Sequence, residues 1–185
     1  MKKLLKYSFV IAVVSIVFIA TIRCEKDDIC VSEVKKTPLL YIRFFDSNNT
    51  QNPKNVNNLR VIGTEFITTE NHVPLLFNGV SEIKIPLKVN QDQTEFYFYL
   101  NAENTNEAIR NTDKVVINYS RNDIYISRAC GYKTNFDLNI LNPIEVSDVE
   151  NVENYPNGTS DWIESVVIVN TEINQDEEPH IHIYF

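Results

Sequence analysis

The sequence predicts an all-β protein: an antiparallel, immunoglobulin-like β-sandwich of about eight or nine strands behind an N-terminal signal or anchor segment. Three observations carry this. Apolar residues alternate with polar ones through most of the chain after residue 23, as in half-buried strands. Polar clusters that suit turns punctuate these runs at short intervals. No long helical period follows residue 23.

The first strand reads from Leu39 to Phe45 and ends at the turn-like Asp46-Ser47-Asn48-Asn49. The second runs from Leu59 to Ile67. Glu82 to Val89 alternates most cleanly: Ile83, Ile85, Leu87 and Val89 share one face, Glu82, Lys84 and Lys88 the other. Pro86 has no amide proton for a ladder, so this strand belongs at an edge or a bulge. Thr94 to Leu100 follows, with Phe96, Phe98 and Leu100 on a core face and Tyr97 and Tyr99 on the opposite one. Lys114 to Ser120 and Ile124 to Arg128 come next, and Val115 to Tyr119 with Ile124 to Ser127 read as a hairpin across Ser120-Arg121-Asn122-Asp123. Phe136 to Leu141, Trp162 to Asn170 and His180 to Phe185 complete the set, with Trp162 expected in the core.

The segment ahead of the strands has a different character. Lys2, Lys3 and Lys6 precede an uncharged, mostly apolar run from Tyr7 to Ile22, the pattern of an export signal. The competing reading is an uncleaved membrane helix, for which the run is at the short limit. Cys24, at the end of the run, looks like the acylated acceptor of a bacterial lipoprotein signal, although Arg23 stands where a small residue is usual. Lys26-Asp27-Asp28 resembles the surface-export signal of Bacteroidota lipoproteins; a solvated charged tether is the plainer alternative. The domain plan is therefore a signal at 1–23, a lipid-anchored tether at 24–37 and a sandwich at 38–185.

With Cys24 assigned to lipid, two cysteines remain. In an exported chain Cys30 and Cys130 are expected to form a disulfide, two free thiols being the alternative. Without Lys2, Lys3, Lys6 and Arg23 the chain has 13 basic and 25 acidic side chains, a net charge of −12. Such a field repels phosphate backbones and excludes a nucleic-acid partner.

The stretch VVINYSRNDIYISRACGYKTNFDLNI, with the CEKDDIC start and the DWIESVVIVN and EEPHIHIYF end, resembles an uncharacterised family of small flavobacterial lipoproteins that carry a domain of unknown function. The resemblance implies lineage and anchoring and brings no activity.

Candidate sites are few. His180 and His182 lie two apart in a strand, so both imidazoles share a face with Tyr184 and offer two ligands for a divalent metal. No third ligand is placed by sequence, and no cofactor is expected. An exposed Tyr97 and Tyr99 pair would suit stacking on a sugar ring, against the plainer reading of cross-strand packing. Asp148, Glu150, Glu153, Asp161 and Asp176-Glu177-Glu178 offer calcium oxygens, but not at EF-hand spacing. No G-x-S-x-G, H-E-x-x-H or phosphate loop occurs, and a cysteine in a disulfide is a poor nucleophile. The expectation is a non-catalytic binding or interaction domain at the cell surface, held to its membrane by lipid and meeting a protein or glycan. A structural envelope part, a glycan-binding accessory of nutrient uptake, and a metal-dependent or thiol enzyme using Cys130 are the alternatives.

Overall fold

The computed structural model describes Cys30 and residues 36–66, 74–149 and 161–185. The described chain is all-β, with twelve strands in three sheets. It falls into two compact units. One comprises Met1–Val34 with Tyr125–Tyr132, and the other Lys35–Ile124 with Lys133–Phe185.

The strands are β1 (Leu40–Phe45), β2 (Leu59–Gly63), β3 (Leu75–Phe77), β4 (Glu82–Ile85), β5 (Gln93–Leu100) and β6 (Asn111–Asn118). After them come β7 (Ser120–Ser127), β8 (Gly131–Asp137), β9 (Ile144–Asp148), β10 (Ser165–Ile168), β11 (Glu172–Ile173) and β12 (Ile181–Tyr184). A four-stranded sheet runs β10-β12-β1-β4, a five-stranded sheet β3-β2-β5-β6-β9, and a three-stranded sheet β11-β8-β7.

The larger unit holds the core. Leu40, Ile42 and Phe44 of β1, Ile83 and Ile85 of β4, and Ile181 and Ile183 of β12 point inward from the first sheet. Val61 of β2, Phe96 and Phe98 of β5, and Val115 and Ile117 of β6 meet them from the second. Phe136 and Ile173 join from the third. The period-2 alternation that defines these strands is thus the pattern that fills the core, each large side chain contributing about 1.5–3 kcal/mol by burial. Trp162 is buried as expected, its ring edge-on to Phe185 and its indole N–H donating to the Phe98 carbonyl at 3.0 Å.

β4 is an edge strand and stops at Ile85, before Pro86. Ile83, Ile85 and Leu87 are buried on one face, but Val89 lies beyond the strand and is exposed. β10 begins at Ser165, so Trp162 precedes it rather than opening it.

Three expectations are overturned. The sheets are not wholly antiparallel: β1 and β12 pair in parallel, Ile42 opposite Ile181 and Phe44 opposite Ile183. A parallel pair needs a long crossover, and here nearly the whole domain lies between the two strands. Twelve strands replace about eight or nine: β3, β9 and β11 are the additions, and all three lie at sheet edges. The hairpin expected across Ser120-Arg121-Asn122-Asp123 does not exist. β6 already pairs with β5 on one side and β9 on the other, so it has no edge left for the following strand. Ser120 to Asp123 are the first half of β7, a strand of another sheet that pairs with β8. Tyr119 makes the crossing between sheets. Its ring is buried edge-on to Phe136, and its hydroxyl meets Thr94 Oγ1 at 2.6 Å and donates to the Lys88 carbonyl at 2.9 Å.

Candidate functional site

The sequence-selected residues do not converge on one place. Cys24, Lys26, Asp27 and Asp28 lie outside the described residues. Cys30 and Cys130 form a disulfide, with Cα atoms 4.9 Å apart. Cys130 closes the turn from β7 to β8: its amide donates to Ser127 Oγ at 3.1 Å, and Gly131 follows at φ +69°, a left-handed conformation that glycine adopts without strain.

Tyr97 and Tyr99 do not form an exposed pair. Tyr97 is half-buried, and Tyr99 is 3% exposed, with the Arg60 guanidinium 5.9 Å from its ring centre. Tyr99 is buried, so a sugar cannot stack on it.

His180 and His182 part company as well. His182 is half-buried, its ring tilted against Phe45 with centroids 4.7 Å apart, and it faces Arg43 in register. Burial and, after it, the Arg43 charge push its pKa down. His180 is wholly buried just ahead of β12. Its Nδ1 accepts the Tyr41 amide at 3.0 Å, and its own amide donates to the Tyr41 carbonyl at 2.9 Å. Nδ1 is therefore unprotonated and Nε2 carries the hydrogen. Burial lowers the His180 pKa, while the Gln175 backbone and the Asp176 carboxylate pull the other way. Nε2 is buried without a full hydrogen bond. The imidazole thus serves as a rung between β1 and the start of β12 through Nδ1.

On the outer face of the same sheet, Glu82 collects two donors. The Tyr41 hydroxyl donates to Glu82 Oε2 at 2.6 Å and Arg43 at 3.2 Å. These donors lower the Glu82 pKa. The group is structural in geometry, joining β1 to β4 where Arg43 stands opposite Glu82.

The least expected chemistry is at the end of the β6–β9 pair. Asp113 stands directly opposite Asp148 in register, and Asp161 joins them, with one carboxylate oxygen from each within 4.8 Å of the others. Among the described residues this is the one grouping of three potential ligand side chains. Asp113 is fully buried; Asp148 and Asp161 are exposed. Asp113 Oδ2 accepts the Ile163 amide at 2.8 Å and Oδ1 the Trp162 amide at 3.3 Å. Burial pushes the Asp113 pKa up to about 7; the two amides oppose this, and the charges of Asp161 and Asp148 add to it. Three carboxylate oxygens are fewer than the six to eight that calcium takes. Through its two amide hydrogen bonds Asp113 clamps the segment that carries Trp162. Of the acidic residues read as possible calcium ligands, Asp148 and Asp161 come together here, Glu150 and Glu153 lie outside the described residues, and Asp113 is missed by sequence because cross-strand register is what brings it in.

A shallow cleft of about 300 Å³ lies on the polar face of β7, β8 and β11, lined by Asn122, Asn135, Asp137, Glu172 and Asn174 among others. Arg121 at its rim is engaged by Asp92 at 2.6 Å and the Val89 carbonyl at 2.6 Å. Asn135 Oδ1 is buried with no hydrogen-bond partner.

A family model described as "Family of unknown function (DUF6452)" matches residues 58–185. No curated protein matches the chain. No solved structure matches it either.

Proposed function

The chain belongs to this family of unknown function, so its role must be read from its own residues, and we propose that it is an exported lipoprotein, acylated at Cys24 and displayed on the outer membrane surface. In this reading the β domain from 38 to 185, an immunoglobulin-like sandwich, works by non-catalytic contact with a protein or glycan. The observation that carries it is the Cys30–Cys130 disulfide, six residues beyond Cys24. Disulfides persist outside the reducing cytosol, so the bridge agrees with the export signal ahead of it. Two or three acyl chains on Cys24 would hold the protein stably, whereas one would not.

A second reading, glycan capture, is favoured by the polar cleft on β7, β8 and β11. Its amides and carboxylates suit hydroxyl groups. Tyr99 does not serve this reading.

Cys24→Ser tests the anchor. The variant should leave the membrane pellet for the soluble fraction of the envelope. If it stays in the pellet, the apolar run from Tyr7 to Ile22 is itself the anchor. Replacing Lys26, Asp27 and Asp28 with alanine should protect the protein from protease added to intact cells, and unchanged cleavage would refute surface display by that signal.

A further inference from the structure

The disulfide fixes one part of the fold near the proposed anchor. Cys24 and Cys30 are six residues apart, a span of at most about 20 Å of fully extended chain. The Cys130 Cα lies 4.9 Å from that of Cys30, so the turn between β7 and β8 cannot lie farther than about 25 Å from the acylated residue. The turn is therefore held within reach of the bilayer surface whatever path the intervening chain takes.

The side chains at that turn are unusual for a solvent-facing one. Tyr125 is 57% exposed and Tyr132 69% exposed, and the two rings meet edge to face with centroids 5.2 Å apart. Neither ring is covered by the core, yet they form an ordered aromatic pair. Between them lie Ile126, Ser127, Arg128, Ala129, Cys130 and Gly131.

Tyrosines concentrate at membrane–water interfaces because the ring is apolar and the hydroxyl is not. We propose that the β7–β8 turn, through Tyr125 and Tyr132, is a membrane-docking surface that lies in the headgroup region of the bilayer carrying the lipid anchor. The proposal rests on the reading of Cys24 as acylated. The occupant is a lipid surface, because the length of chain between anchor and disulfide dictates proximity to lipid and to no other partner.

The test uses the full acylated chain, reconstituted into vesicles of phosphatidylcholine and phosphatidylglycerol that contain brominated acyl chains. Tyr125→Trp and Tyr132→Trp are made separately, so that misfolding of one leaves the other as a readout. Trp162, buried in the core of both variants, serves as the internal reference. In each variant the added tryptophan should shift to the blue and lose about half or more of its emission to bromine, while wild-type emission is unchanged. Cosedimentation with the vesicles is scored first. A chain that cosediments but whose added tryptophans are both unquenched overturns the docking surface and leaves the anchor intact. A chain that does not cosediment overturns the anchor and the docking surface together. A blue shift seen in native membranes but absent in vesicles would assign the turn to a protein partner and overturn the lipid proposal.

Discussion

His180 and Tyr41 exchange two hydrogen bonds, one of them through the imidazole: Tyr41 donates its amide to His180 Nδ1 at 3.0 Å, and His180 donates its amide to the Tyr41 carbonyl at 2.9 Å. The side chain thereby extends the ladder at the start of the parallel β1–β12 pair. A protonated imidazole would place a donor against the Tyr41 amide, so the rung exists only for neutral His180.

The pH consequence has a definite sign. The His180 pKa is lowered in the folded state, so the unfolded chain takes up its proton first as pH falls. Stability from this group is complete above the unfolded value of about 6.5 and declines from there down to the lowered folded value. His180→Ala should destabilise by at least about 1 kcal/mol near neutral pH, because it orphans a buried amide. The gap between variant and wild type should shrink between about pH 6.5 and pH 5. Urea titrations at several pH values read this; a gap independent of pH would refute the neutral rung.

Asp113 acts in the opposite sense. Its pKa is raised to about 7 in the fold from an ordinary value of 3.8. Below the ordinary value both folded and unfolded chains hold the proton. As pH rises toward 7 the unfolded chain releases it and the folded one retains it, so stability falls across that window. Asp113→Asn should abolish this decline, seen as a flatter melting temperature between about pH 5 and pH 8. Asp148→Asn and Asp161→Asn should each raise the melting temperature at about pH 8 by removing a like charge near Asp113. Because His180 and Asp113 oppose each other in the acid range, differences between variants are more informative than the wild-type profile.

The disulfide closes a loop of 100 residues. On the chain-entropy model such a loop is worth about 4.7 kcal/mol, and measured bridges more often give about 2–4 kcal/mol. Cys30→Ser, or reduction of the wild type, should lower the melting temperature. The far-ultraviolet spectrum at room temperature should not change, since the core of the larger unit contains neither cysteine. A reduced protein that melts where the oxidised one does would show that the bridge constrains little in the unfolded chain.

What was legible in the sequence follows from the range of each signal. Alternation is local, so Ile83 and Ile85, Phe96 and Phe98, and Ile181 and Ile183 were placed on core faces correctly. The cysteine pair was legible from counting alone. Pairing is not local. Nothing near Ile42 says that Ile181 lies beside it in parallel, and nothing near Asp113 says that Asp148 stands opposite. His180 and His182 were given one fate because they share a strand face, yet one became a buried rung and the other an aromatic partner of Phe45. Ser120-Arg121-Asn122-Asp123 read as a turn because its residues are polar; in β7 all four are exposed strand positions.

Tyr119 tests whether the chain really crosses between sheets at that point. Its phenol is 2% exposed, and burial raises its pKa. The hydroxyl sits between Thr94 Oγ1 at 2.6 Å and the Lys88 carbonyl at 2.9 Å, and Thr94 Oγ1 also accepts the Lys88 amide at 2.9 Å. The three residues form a closed buried group that fastens the end of β6 to the start of β5 and the segment after β4. Tyr119→Phe keeps the ring against Phe136 and removes only the hydroxyl, so it isolates the polar contribution. The Lys88 carbonyl and Thr94 hydroxyl would each lose a buried partner, at a cost of about 1–3 kcal/mol. Thr94→Val should cost a similar amount, and the double variant should cost less than the sum of the two, because both remove the same bond. In a true hairpin across residues 120 to 123, Tyr119 would sit at a turn and its hydroxyl would be dispensable. Additive, near-zero effects in chemical denaturation would return the chain to that arrangement.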